Sequence, residues 1–247
     1  MRPVNKVLPG DTVSYMDSQG RMVTHVVKSD YSPYGEAKLP LVGNIGRYCS
    51  YCENCLNVSN LEVEHILPKS QGGPETEWNN FLLGCKVCNC NKGTVVINPT
   101  NCHFPHLNNT FLSLVYDETG RVKVNPDLPP RSKSKAENLM KLTQLDRQPS
   151  TSNIPSPKDY RWHDRYKTWN LASRAKELYQ SNRITVDDVI DQAKSRGYWS
   201  IWFTVFSGID AVLSRLISDF PGTCAACFDP NNHYAPIERN PGETDPV

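Results

Sequence analysis

The chain has 247 residues, 38% apolar, 21% charged and 9% aromatic, a composition that excludes wholesale disorder and supports one or two folded units with a sizeable core. With 27 basic against 26 acidic side chains the net charge is +1, which excludes a polycation that holds nucleic acid by bulk charge alone. The charge is unevenly spread, however: residues 121–183 carry 14 basic and 6 acidic side chains, so a basic middle segment is hidden in a neutral average.

Taken in chain order, residues 11–28 alternate in polarity (Val13, Tyr15, then Met22, Val23, Val26 and Val27) around Ser18-Gln19-Gly20, which predicts a hairpin. Residues 61–66, Leu-Glu-Val-Glu-His-Ile, alternate as a short strand should, and Pro68 stops them before a loop through Gly72-Gly73-Pro74. The Asn-rich stretch after Cys88 predicts a short helix ended by Asn98-Pro99. Residues 125–130 and 148–158 are rich in turn formers, and the second reads as the best internal linker. Residues 166–180 place Trp169, Ala172, Ala175, Leu178 and Tyr179 at helical spacing; Thr185 caps a helix through 195 ended by Gly197; 199–219 read as one longer helix whose Trp199, Trp202, Phe203 and Phe206 belong to the core. That most apolar stretch carries Asp210, Arg215 and Asp219, so no membrane span is expected. The N-terminal residues lack the apolar run of a secretory signal, and a reducing cytoplasmic setting follows as the expectation.

Nine cysteines stand out, seven of them between positions 49 and 102. In a reducing compartment such clusters bind metal more often than they form disulfides. Cys49-x2-Cys52 and Cys85-x2-Cys88 have the spacing of two knuckles closing a tetrahedral Zn2+ site, with Cys52-x2-Cys55 an equally spaced alternative to the first. Cys102-His103 with His106, and Cys224-x2-Cys227 with His233, form a weaker candidate for a second zinc. Arg131, Lys133, Lys135 and Lys141 in the basic segment are candidate phosphate contacts, whose loss of affinity with salt would be steep.

Between the knuckles lie Glu64-His65, the Pro68–Gly73 loop and Trp78-Asn79-Asn80; the second knuckle continues as Cys88-Asn89-x2-Lys92-Gly93. In order, spacing and residue type this resembles the HNH endonuclease family over residues 49–93. The resemblance implies phosphodiester hydrolysis, with His65 as general base, Asn80 bonding the His65 ring to fix its tautomer, and Glu64 and Asn89 holding a catalytic Mg2+ or Mn2+ through oxygen. Glu64 stands where most members carry Asp, and Lys92 is a further phosphate candidate. The implied fold is α+β: a ββα-metal core with a structural zinc and a mainly helical C-terminal region. The boundaries read as an N-terminal segment 1–48, a nuclease core 49–120, a basic linker 121–160 and a helical region 161–247.

A wider likeness rests on Met-Arg-Pro-Val-Asn-Lys at the start, Gly46-Arg47-Tyr48-Cys49, Trp78-Asn79-Asn80-Phe81 and Phe220-Pro221-Gly222-Thr223. It resembles the HNH nuclease subunits of Septu-type anti-phage systems, including retron-associated ones, and so implies an ABC-type ATPase partner docking on the C-terminal helices and a defence role; DNA is the expected substrate. An RNA or tRNA substrate, and a zinc-stabilised binding module without catalysis, are the competing readings.

Overall fold

The computed structural model describes residues 1–93, 95 and 98–247. The predicted hairpin is β1 (Thr12–Met16) and β2 (Met22–Val26), paired antiparallel from Thr12↔Val26 to Met16↔Met22. Helix α1 (Lys38–Ile45) lies against it, and Gly43 allows the contact, since a Cβ there would meet the Ser14 carbonyl at 3.1 Å. Strands β3 (Leu61–His65) and β4 (Phe81–Cys85) form a second antiparallel ribbon, and α2 (Lys86–Lys92) follows directly. The strand ends one residue before the alternating pattern does. The helix starts before Cys88 and stops at Gly93, well ahead of Asn98, which instead caps a 3-10 turn at Pro99–Asn101.

Next come α3 (Thr110–Ser113), the hairpin β5 (Leu114–Tyr116) and β6 (Val122–Val124), and α4 (Pro130–Thr143). Thus 121–160 is no open linker. Helix α4 begins on Pro130, whose missing N–H costs nothing in the first turn, and buries Leu139, Met140 and Leu142 in the main core. The irregular character predicted for 125–130 and 148–158 holds over 125–129 and 148–158.

Helix α5 (Arg161–Gln180) starts five residues earlier than predicted. Helix α6 (Val186–Arg196) has the expected Thr185 cap, completed by Asp188 into a reciprocal capping box. The expected third helix is two, α7 (Trp199–Val205) and α8 (Asp210–Asp219), because Gly208 at φ +81° leaves the helical region between them. A small hairpin, β7 (Phe228–Asp229) with β8 (Ala235–Pro236), ends the fold. Among the described residues no helix is long and apolar enough to cross a membrane.

The β3–β4 ribbon sits between two layers. Leu61, Val63, Phe81 and Leu83 point into a small core shared with Val13, Ala37, Leu41 and Trp78 of the N-terminal layer. The register puts Glu62 opposite Gly84 and Glu64 opposite Leu82, on the other face, beneath α2. The zinc-spaced cysteines, α4, and α5 to α8 share one larger core, so the knuckles are built into the helical region. Glu53, between the first knuckle's end and Cys55, ties them further: it is buried and accepts from the Ser200 hydroxyl at 2.7 Å.

Candidate nuclease site

The four cysteines come together as the spacing predicts. Cys49 and Cys52 lie on a buried turn, Cys85 ends β4, and Cys88 lies in the first turn of α2; their sulfurs all fall within 4.8 Å of one another. Cys52 and Cys85 Sγ are 3.7 Å apart, close to the roughly 3.8 Å edge of a tetrahedron with Zn–S bonds of about 2.3 Å. Backbone N–H groups of Cys85 and Cys88 donate to the sulfurs of Cys49 and Cys85 at 3.3 and 3.4 Å. Burial raises the Cys49 thiol, but hydrogen bonds from Cys52, Cys85 and Cys88 outweigh it and hold the group well below the ordinary value. Donor type, number and spacing therefore fit structural zinc. Cys55 stays out of the cluster, in a bridge to Tyr48, and Cys90 is exposed.

Sequence reasoning missed Arg161. Its Nη1 donates to Cys88 Sγ at 3.3 Å, while Nε and Nη2 hold the buried Asp159 at 2.8 and 2.7 Å. A four-thiolate zinc centre carries a net charge of about −2, and a buried guanidinium beside it offsets part of that charge. Arg161 lies 73 residues from Cys88, so no local pattern announces it.

No second metal group of this kind forms among the described residues. His233 is exposed and bonds Asp210, while Cys224 and Cys227 are buried beside each other without it. His103 is enclosed by Ser113 and Asp245, and its Nδ1 and Nε2 are both engaged there. Those residues join the C-terminal segment to α3 and α4 instead of holding an ion.

His65 ends β3 on the face towards the N-terminal layer, with its ring edge-to-face against Phe81 at 5.1 Å and Tyr34 at 4.9 Å. Its Nε2 donates to the Glu75 carbonyl at 2.9 Å, which leaves Nδ1 as the lone-pair nitrogen. Burial lowers its pKa, the main cause ahead of the Lys69 and Lys92 charges, so the ring is neutral at pH 7 and able to take a proton.

Asn80 does not bond that ring. Its amide accepts from Leu67 N–H at 2.8 Å and donates to the carbonyls of Leu67 at 3.0 Å and Pro74 at 2.8 Å. All three bonds cross the mouth of the loop at 67–74, so Asn80 clamps the loop and thereby sets the Glu75 carbonyl on His65. Gly73 is needed here because a Cβ would lie 2.0 Å from the Leu67 carbonyl oxygen.

Glu64 is 1% exposed, with one oxygen taking the Tyr51 hydroxyl at 2.6 Å and the other the Lys92 ammonium at 2.6 Å. Lys92 is 2% exposed and also donates to the His65 carbonyl at 2.6 Å. It is an internal cation and cannot be the phosphate contact expected of it. Burial raises the Glu64 pKa while Lys92 and Tyr51 oppose the shift. Asn89 donates to Glu62 at 2.6 Å, a carboxylate the sequence reading passed over although it shares a strand face with Glu64.

Glu62, Glu64 and Asn89 gather around the bare Cα of Gly84. A Cβ at Gly84 would lie 3.2 Å from Glu64 Cβ and 3.7 Å from Asn89 Cβ, so this glycine lets Glu64 and α2 pack closely over β4. Glu62 and Asn89 are donors of the type a hard cation such as Mg2+ or Mn2+ takes, whereas both Glu64 oxygens are already engaged by Tyr51 and Lys92. Glu62 and Asn89 also line an open cleft of ≈ 570 Å³ with Pro33, Tyr34, Lys38 and Val63.

Residues 49–94 match the family model for HNH endonuclease. The match supports the HNH family for this segment, and with it a metal-dependent nuclease activity at that level. No curated protein matches the chain. Of the phosphate candidates outside the HNH segment, Arg131 and Lys133 are exposed on the first turn of α4, whereas Lys135 is held by Asp245 at 2.6 Å.

Proposed function

We propose that this chain is a metal-dependent HNH endonuclease with a ββα-metal core built on β3, β4 and α2, hydrolysing phosphodiester bonds in DNA. One observation carries the reading: a histidine held by the Glu75 carbonyl stands at the end of the strand whose other face carries Glu64 and, bonded to Asn89, Glu62. His65 Nδ1 takes the proton of the attacking water. The Glu75 carbonyl holds the ring while this happens and favours the imidazolium that results. The family resemblance implies Glu64 and Asn89 as the residues that would hold Mg2+ or Mn2+; Glu64 would have to release Lys92 or Tyr51 to do so, and Glu62 is the carboxylate that lines the cleft with Asn89. The ion would supply charge neutralisation at the phosphate and leaving oxygen. Lys92 pairs with Glu64 and opposes the upward push that burial gives the Glu64 carboxyl. The four cysteines, which would hold a structural zinc, join the first knuckle to the end of β4 and the start of α2, the helix from which Asn89 reaches Glu62.

The wider likeness to Septu-type subunits supports a role as the effector of an anti-phage system, restrained or triggered by an ABC-type ATPase. An RNA or tRNA substrate is the second reading, since a general base serves a ribose 2′-hydroxyl equally well. His65→Ala is expected to abolish cleavage of plasmid DNA with zinc content and folding unchanged, and EDTA to do the same in the wild type. Cleavage retained by His65→Ala would refute the mechanism; tRNA cleavage persisting in EDTA would refute the DNA assignment.

A further inference from the structure

Tyr34 lies outside the matched segment, on the 3-10 turn Tyr34–Ala37 that leads into α1. Its half-buried ring meets the His65 ring at 4.9 Å and borders the cleft that Glu62 and Asn89 line from the other side. The Lys69 ammonium stands 4.9 Å from the same ring. Among the described residues the Tyr34 hydroxyl has no hydrogen-bond partner, and Lys38, on the cleft wall one helical turn further on, has no ion-pair partner. The Tyr34 ring packs partly on the N-terminal core and on Phe81 while its remaining edge borders the cleft, and the Lys38 ammonium in that cleft has no partner among the described residues.

We infer that Tyr34 and Lys38 form a nucleotide subsite, in which a base packs on the Tyr34 ring and Lys38 takes a neighbouring phosphate. The 4.9 Å between the Tyr34 and His65 rings then puts the sugar-phosphate of that nucleotide within reach of the base. A base inside a duplex has both faces covered by its neighbours, so packing on a tyrosine takes an unstacked one. The substrate class is therefore single-stranded or locally unpaired nucleic acid, which deepens the nuclease reading and rests on it.

The test uses the full zinc-loaded chain carrying His65→Gln, which keeps a planar side chain against Tyr34 while preventing cleavage. The probe is a fluorescent single-stranded oligodeoxynucleotide of about 12 nucleotides, alone or annealed to its complement, read by anisotropy. The single strand should bind more tightly than the duplex. Adding Tyr34→Ala should weaken single-strand binding on the order of 5- to 150-fold, the range expected for loss of one base–aromatic contact. Tyr34→Phe should retain affinity and Tyr34→Leu should lose it, a pair that carries the test even if the alanine variant misfolds. Lys38→Gln should lower the slope of log affinity against log salt by roughly 0.7. Unchanged single-strand affinity in Tyr34→Leu, or a duplex bound as tightly as the strand, would overturn the inference. Wild-type cleavage of the same strand with Mn2+ separates the two levels. Cleavage with Tyr34-independent binding refutes this subsite alone, and no cleavage of any nucleic acid refutes the nuclease reading together with it.

Discussion

Asn80→Ala separates a loop clamp from a direct contact with the general base. The side chain makes three hydrogen bonds across the mouth of loop 67–74, at 2.8, 3.0 and 2.8 Å, from a position 8% exposed. At about 1 kcal/mol per bond, with some partners rehydrated once the loop opens, the loss is about 2–3 kcal/mol. For a chain of this length that corresponds to a fall in melting temperature of roughly 4–12 °C. Cleavage should fall too, because the Glu75 carbonyl that holds His65 Nε2 sits one residue beyond the clamped Pro74. Thermal melts by circular dichroism and single-turnover cleavage, run on the same zinc-loaded preparation, measure both quantities. Had Asn80 acted on the ring itself, cleavage would drop with little change in melting temperature; that result would refute the clamp.

Three further outcomes follow from the same geometry. Lys92→Met leaves Glu64 buried with only the Tyr51 hydroxyl, which should destabilise the fold by about 3–5 kcal/mol in a denaturant titration, whereas a surface phosphate contact would cost almost nothing. Arg161→Met removes the guanidinium from Cys88 Sγ and should weaken zinc retention roughly 10- to 100-fold in a chelator competition; unchanged retention would show that Arg161 serves only Asp159. His106, next to Lys6 and Arg239, is lowered by burial to about 3 from the usual 6.5, so the folded state favours its neutral form. Its contribution to stability is complete above about pH 6.5 and declines as the pH falls from there towards about 3, and His106→Leu should flatten that stretch of the melting-temperature profile.

Much of the site was legible from the sequence because its chemistry is written in short spacings. Two Cys-x2-Cys pairs predict a tetrahedral cluster whatever the chain does between them, and the four sulfurs do converge. The alternation of 61–66 places Glu64 and His65 on a strand, and a period of two alone puts them on opposite faces. The same period also put Glu62 beside Glu64, a signal present in the sequence and not used. Thr185 and Gly197 bound α6 because caps act within one turn.

What the tertiary structure decided depends on partners far apart in the chain. Lys92 reads as a surface cation until α2 folds back over β3 and buries its ammonium on Glu64. Asn80 reads as a ligand of His65 until the loop closes across it. Tyr34, Lys38 and Arg161 carry no local mark at all; two come to the cleft from the N-terminal layer and one to the cysteines from α5. The segment 121–160 reads as a linker from its basic charge and its turn formers, and only the shared core shows that α4 packs one side inward. Ligand spacing and strand period are properties of neighbouring residues, so the sequence determined the cysteine cluster and the Glu64-His65 strand. Burial and hydrogen-bond choice are settled among competing partners, and only the packed chain decides which of them meet.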